Sequence, residues 1–432
     1  MKNQKMKMSN ISYLKKLFQA YYKEKRTEIT SVNLFNKREF GFIPWDKQTI
    51  MKRHISFKDP DNLKKYLINE GPKHIYSSGS IYLQPDNPDM SNKEYQGCDL
   101  IFDIDVDHFY TPCKNEHDLW NCVDCGESGT GMVKKCPSCK SLKLKSLTWI
   151  CEDCLGIAKN QLMKLIYKFL IPDFGISLEQ MKIAFSGHRG YHLKIENEDV
   201  RTLTGEERRE IASYVSGSNI SLEILGLRQF NNVIYGLLEN NIGWSQKIMN
   251  QIIELLQKYP DDKIRSILTK FGLKTDTIKS FLNSKDDFLQ SISQNNYNVW
   301  NVEGFGIKNW SLFLNGIISE IGAKIDEPVT IDIHRLIRYP GSLHGKTGFK
   351  VQELFPDDLD NFHPLDEGNA LLDPIVFQSE KEVSQKLEII ENLVPITKIK
   401  GETYGPYKKG QKIEVPHHFA VFLLCKEVAK TI

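Results

Sequence analysis

The sequence lacks any apolar run near the ~18 residues that a membrane-spanning helix requires. Its opening Met-Lys-Asn-Gln-Lys-Met-Lys-Met has no apolar signal core. These absences predict a soluble, intracellular protein with no membrane partner. It also lacks an excess of one charge: 57 Lys and Arg face 55 Asp and Glu, a net +2, so no global basic field advertises nucleic acid. Internal repeats and low-complexity tracts are absent, and the 432 residues have room for two or three domains. Cysteine is scarce outside one segment. Of nine, only Cys98 and Cys425 lie beyond residues 113–154, and these two are expected as buried small apolar residues.

Against that background, Asp99-Leu-Ile-Phe-Asp-Ile-Asp-Val106 is the most informative stretch. Read as a strand, Leu100, Phe102, Ile104 and Val106 face one way and Ile101, Asp103, Asp105 and Asp107 the other. Asp103 and Asp105 then stand roughly 6–7 Å apart at the backbone, given a rise of ~3.3 Å per residue. Two carboxylates fixed side by side repel unless a cation lies between them, and hard oxygen ligands suit Mg²⁺ or Mn²⁺. The bland alternative is a polar edge strand whose acids face water.

The cysteine segment reads Cys113-x₃-His117-x₄-Cys122-x₂-Cys125-x₁₀-Cys136-x₂-Cys139-x₁₁-Cys151-x₂-Cys154. In a reducing compartment such spacing signals metal rather than cystine. Seven thiols and one imidazole match two tetrahedral zincs. The nested pairing puts Cys122, Cys125, Cys136 and Cys139 in an inner ribbon and Cys113, His117, Cys151 and Cys154 in an outer site; sequential pairing is the rival. Nesting is favoured because Cys154 leads directly into a helix, expected over Ile157–Leu170 and stopped by Pro172 and Gly175. With every ligand used, both zincs would be structural. Between Met132 and Lys145 five lysines occur without an acid, as a solvated surface or a phosphate-facing patch.

Strands are also predicted at Arg38–Phe42, Met51–Phe57, His74–Ser78, Met181–Phe185 and Tyr191–Ile195, the last two joined by a tight turn at Gly187–Gly190. Residues 11–26 and about 242–314 carry apolar groups at helical spacing. Phe419–Cys425 reads as a core element. In Ser186-Gly-His-Arg-Gly-Tyr-His192 the serine hydroxyl, the Arg189 fork and the His192 imidazole are good phosphate partners; a plain β-turn is the alternative. His188 has no assigned task and is expected to be exposed. A final strand is predicted at Pro328–Ile333, with the Asp332 carboxylate leaving the core face to complete a three-aspartate metal site. Arg335, Arg338, His344 and Lys346 follow on a Gly/Pro-rich loop suited to a triphosphate, or to a basic surface.

Together, Asp-Ile-Asp at 103–105, Ser-Gly-His-Arg-Gly-Tyr-His at 186–192, and Asp332 followed by Arg-Tyr-Pro-Gly-Ser-Leu-His-Gly-Lys-Thr-Gly resemble, in order, the three motifs of the archaeal and eukaryotic DNA primase small, catalytic subunit. The resemblance covers most of residues 10–235 and 325–430. It implies a mixed α/β catalytic fold with a zinc-binding insertion (112–155) and a helical insertion (241–315). The core would be divided into 1–111, 156–240 and 316–432. It further implies Asp103, Asp105 and Asp332 as ligands of Mg²⁺ or Mn²⁺ and as the catalytic set. Ser186, Arg189, His192, Arg338, His344 and Lys346 would contact nucleotide, with Glu39 and Arg53 bordering the site. Family members often carry one zinc site, a role that fits the outer set here; the inner ribbon departs from that pattern.

The implied function is template-directed synthesis of short primers on single-stranded DNA from nucleoside triphosphates, in a heterodimer with a primase large subunit. The implied location is cytoplasmic, nucleoid-associated and archaeal in type. Two alternatives are a primase-like polymerase for end-joining repair and a non-catalytic zinc-ribbon nucleic-acid-binding subunit. A third is a Mg²⁺ hydrolase. End-joining enzymes usually carry ligase or nuclease neighbours, absent here, and a pure binder gains nothing from three acids near phosphates.

Overall fold

The computed structural model describes residues 2–25, 28–46, 50–238, 242–293, 299–366, 368–378 and 383–432. The chain divides into two compact units. One comprises Met1–Leu162, Ser177–Arg208 and Ile325–Ile432; the other comprises Met163–Ile176 and Arg209–Lys324.

The first unit is built on two four-stranded antiparallel sheets. One runs in the order Leu336–Arg338, His74–Ser78, Phe40–Ile43, Lys52–Ile55. The other runs Gln352–Leu354, Met181–Phe185, Gly190–Ile195, Leu100–Asp105. The strands predicted at Arg38–Phe42, Met51–Phe57, His74–Ser78, Met181–Phe185 and Tyr191–Ile195 therefore form, within a residue or two of their expected ends. In Leu100–Asp105, Leu100, Phe102 and Ile104 are wholly buried while Asp103 and Asp105 are only partly so, the signature of a strand with one face committed to a core. Cys98 and Cys425 are buried, as expected. The helix Lys2–Glu24 seats Leu14, Phe18, Tyr21 and Tyr22 in this core; Arg26, the last residue of its predicted span, lies outside the described residues. The last helix, His417–Cys425, is buried along its length from Phe419 and is followed by a short strand, Ala429–Thr431.

Two expectations are corrected. Pro328–Ile333 does not form a strand; Glu327–Ile331 is a short helix that Asp332 terminates. Proline's fixed φ and missing N–H suit a first helical turn, and this outweighs the alternation of Val329, Ile331 and Ile333. Nor does Pro172 stop the helix that follows Cys154. That helix begins earlier, at Glu152, and runs to Leu165; a π-helical turn, Ile166–Leu170, then leads into Ile171–Phe174. The wider turn tolerates the proline, and Gly175 ends the run with φ +66°.

The second unit is mainly helical, with Gly243–Lys258, Asp261–Lys270, Thr275–Asn283, Lys285–Ser293 and Ile307–Ile321. Its core is aromatic: Trp300 and Trp310 have ring centroids 4.7 Å apart, and Phe281 lies 4.8 Å from Phe305. Among the described residues no helix is long and apolar enough to cross a membrane.

Candidate active site and zinc sites

Strand pairing brings the first two motifs together. Gly190–Ile195 lies antiparallel to Leu100–Asp105, with Gly190 opposite Asp105 and His192 opposite Asp103. A side chain at Gly190 would collide with the Ile104 carbonyl, so only glycine allows this approach. His192 Nε2 lies 3.5 Å from Asp103 Oδ1, while its buried Nδ1 has no partner. At the hairpin tip Ser186 Oγ accepts the His188 N–H at 3.3 Å, leaving the serine O–H to donate.

The third motif hangs from the same strand. Asp326 N–H donates to the Asp103 carbonyl at 2.8 Å, fixing the start of Glu327–Ile331 beside the acids. Asp332 is exposed, and its Oδ1 accepts the His334 N–H at 2.8 Å. Among the described residues, the Cys/His sets alone bring three or more potential ligand atoms within 4.8 Å of one another. Asp103, Asp105 and Asp332 are therefore not drawn into one tight cage, and the acids acting on Asp103 are Asp105 and Asp326 rather than Asp332. Burial, with the charges of Asp105 and Asp326, pushes Asp103 up to about 7 against the opposing Arg338 and Arg335. Burial and Asp107 likewise raise Asp105. Such uncompensated negative charge fits a divalent cation, which would relieve it. Asp326 was not singled out in the sequence; it lies outside the three motifs and comes near Asp103 only through the fold.

Arg338 Nη1 lies 2.9 Å from His74 Nδ1, and its guanidinium sits 5.1 Å over the Tyr76 ring. Burial and the Arg338 charge push His192 down to about 3, so its imidazole is neutral. Burial with Arg338 also holds His344 and His74 well below the ordinary histidine range. Lys346 is exposed at the loop's edge. His188 is buried, not exposed: it stacks on His344 at 5.0 Å with planes 9° apart.

Arg189, expected at the phosphates, and Glu39, expected at the site's border, are already engaged. Arg189 is buried; its Nη1 donates to Asp118 Oδ1 and Oδ2 at 2.7 and 2.9 Å and to Trp149 O at 2.8 Å, and its Nη2 donates to Asp107. Its fork is turned into the protein. Glu39 is also buried, and Arg53 Nε donates to its Oε1 at 2.9 Å, with Lys93 Nζ 3.3 Å from Oε2. Burial raises Glu39, but Arg53, the His54 N–H and Lys93 together hold it below the usual value. Arg53 Nη2 reaches the His334 carbonyl at 3.3 Å, which ties this pair to the segment after Asp332.

The cysteines pair in the nested order: Cys113, His117, Cys151 and Cys154 form one set, Cys122, Cys125, Cys136 and Cys139 the other. Sulfur separations are 3.2 Å for Cys113–Cys154, 3.5 Å for Cys122–Cys139 and 3.6 Å for Cys125–Cys136. These are far beyond the ~2.05 Å of a disulfide and near the ~3.8 Å edge of a zinc–thiolate tetrahedron with ~2.3 Å bonds. His117 Nε2 faces Cys151 and Cys154 at 3.3 and 3.4 Å, while Nδ1 meets Asp118 Oδ1 at 2.9 Å. A carboxylate behind the imidazole is the usual support for a zinc-bound histidine, so both donor sets fit Zn²⁺.

The family model for the DNA primase small subunit matches residues 140–354. The chain is 30% identical to the DNA primase small subunit PriS of Methanocella arvoryzae over 441 residues, covering 96% of this chain and 97% of the relative. It is 30% identical to PriS of Archaeoglobus fulgidus over 416 residues, 96% of both chains. With PriS of Nitrosopumilus maritimus the identity is 28% over 425 residues, 98% of this chain and 99% of that one. Matched by the family model and 30% identical over nearly its full length to two of these small subunits, the chain belongs to the DNA primase small-subunit family.

Proposed function

We propose that this chain is the catalytic subunit of a DNA primase, joining nucleotides on a single-stranded DNA template by nucleotidyl transfer from nucleoside triphosphates. The observation that carries the reading is the pairing of Asp103 with His192 on adjacent strands, with Arg338 close enough to act on both. A carboxylate beside a neutral imidazole, with the Arg338 cation in reach of both, supports holding a triphosphate next to metal ligands.

Asp103, Asp105 and Asp332 would hold two Mg²⁺ or Mn²⁺ ions. When bound, these lower the pKa of the attacking 3′-hydroxyl and offset charge on the leaving pyrophosphate. The chain's own residues do the rest. The Ser186 hydroxyl, the neutral His192 and His344 imidazoles and the Arg338 and Lys346 cations orient the phosphates. Arg189, held by Asp118 and Asp107, fixes the hairpin that carries Ser186 and His192, a positioning role that the family resemblance alone does not specify. Glu39 and Arg53 brace the segment after Asp332 at the site's border. No covalent intermediate is needed. Zinc held by Cys113, His117, Cys151 and Cys154 and by Cys122, Cys125, Cys136 and Cys139 would order the insertion, and a large-subunit partner would assist initiation. A DNA-replication enzyme of this kind would work in the cytoplasm at the nucleoid.

The test is primer synthesis on unprimed single-stranded template, with and without a large-subunit partner. Asp105→Ala should fold normally and lose at least ~10³-fold in rate, the scale on which losing an electrostatic contact to the transition state is felt. Normal synthesis by that variant would refute the metal assignment. Activity confined to preformed primers would point to an end-joining polymerase instead.

A further inference from the structure

Lys426, just beyond the C-terminal helix, is far in sequence from all three motifs. Yet it is buried, only 7% exposed, against the phosphate-side histidines. Its Nζ donates to the Thr148 carbonyl at 2.8 Å and lies 3.1 Å from His188 Nε2. The same ammonium sits 5.5 Å from the Trp149 ring centroid and 5.7 Å from that of Phe422. Among the described residues no carboxylate is paired with it. His188 stacks on His344, and His344 meets His74 edge-on at 4.8 Å. Lys426 thus stands at the far end of an imidazole row that begins at Arg338.

Lys426 also lines a groove of about 310 Å³, shared with Lys73, Lys145, Lys346 and Trp120. Lys73 and Lys145 are balanced there, 3.5 Å from Glu427 and 3.3 Å from Glu391. Lys346 and Lys426 have no such partner among the described residues. Burial, with the charges of Arg189 and Lys346, pushes Lys426 down to about 7 against the weaker pull of Asp118 and Asp107, neither of which pairs with it directly. A concave site with two unbalanced lysines, rimmed by balanced ones, suits a multiply charged anion.

We propose that this groove is a polyphosphate subsite behind the triphosphate cradle, with Lys426 and Lys346 as its charged contacts. Its natural occupant is either the departing pyrophosphate or the triphosphate tail of a second, initiating nucleotide; both present the same chemistry. The choice of occupant rests on the proposed reaction, whereas the existence of the subsite does not.

The test is calorimetric titration of the full chain with inorganic pyrophosphate in metal-free buffer, which requires no catalysis. Lys426→Met should weaken binding at least tenfold and Lys426→Arg much less. Because a buried lysine is changed, Lys145→Glu provides an exposed control of the same groove; it should fold unaltered and weaken binding several-fold by repelling the anion at the mouth. Undiminished pyrophosphate affinity in folded Lys426→Met, or in Lys145→Glu, would overturn the subsite. Lys426-dependent binding in a protein that makes no primers would keep the subsite and reject the polymerase reading. Primer synthesis with Lys426-independent binding would do the reverse. Competition by a 5′-triphosphorylated dinucleotide at lower concentration than pyrophosphate would assign the groove to the initiating end; the opposite order would assign it to the leaving group.

Discussion

The two candidate zinc sets are built from similar ligands but belong to the protein in different ways. The inner set stands largely by itself. Cys122 and Cys136 are buried with Trp120 in a small cluster bordered by Val133 and Leu144, while Cys125 and Cys139 are exposed. The outer set is linked to the sheet that carries Asp103 and Asp105. His117 meets Asp118, Asp118 holds Arg189, and Arg189 holds Asp107, whose N–H donates to Asp105 Oδ1 at 2.9 Å. Ligand chemistry alone therefore does not decide whether a metal matters to a distant reaction; what stands behind the ligands does.

The sharpest way to break this contrast is to remove one thiol from each set. Cys154→Ser should cut zinc from two equivalents to one, lower the main melting transition and abolish most primer synthesis. Cys139→Ser should also lose one equivalent, yet leave the main transition and most activity in place. Metal analysis, calorimetry and a primer assay read all three; equal damage from both variants would erase the distinction. Next in size is Asp118→Ala, which leaves Arg189 buried with one carboxylate fewer. Breaking such a buried pair costs about 3–5 kcal/mol, measurable by denaturant unfolding of zinc-loaded protein.

A third test concerns the carboxylate end of the linkage. Asp103 is raised to about 7, so the metal-free fold favours its neutral form. That contribution is complete below the ordinary aspartate value of ~3.9 and is lost as pH rises through about 7. A divalent cation needs the ionised form. Apparent Mn²⁺ affinity, followed by paramagnetic resonance, should fall about tenfold per pH unit below 7, assuming one proton is released. Zinc held by the inner thiols should show no break tied to Asp103, and Asp103→Asn should remove the step from the Mn²⁺ curve only. The smallest effect is expected at the ribbon surface. Lys143 lies 3.5 Å from Asp124, and both are exposed, so Lys143→Ala should change stability by less than about 1 kcal/mol. If this lysine touches template phosphate, the salt slope for single-stranded DNA should drop by about 0.7.

Much of this was legible because it is local. Alternation placed Asp103 and Asp105 on one face of a strand, and the position of Cys154 ahead of a helix favoured nesting. What the sequence concealed depends on partners distant along the chain. Arg189 reads as a free phosphate ligand until Asp118 and Asp107 are found to hold it. His188 reads as exposed until His344 and Lys426 enclose it. Asp326 gains meaning only when its N–H meets the Asp103 carbonyl. The helix at Glu327–Ile331 is hidden for another reason: a period-2 apolar pattern overlies the proline in its first turn.

The grip of two carboxylates on Arg189 has a consequence for timing. Immobilising a backbone residue takes about 1–2 kcal/mol of chain entropy, and at the hairpin tip that loss falls during folding, before any nucleotide arrives. Under the proposed function, an incoming triphosphate would meet a loop already set, and its binding energy would remain available for aligning the reacting ends.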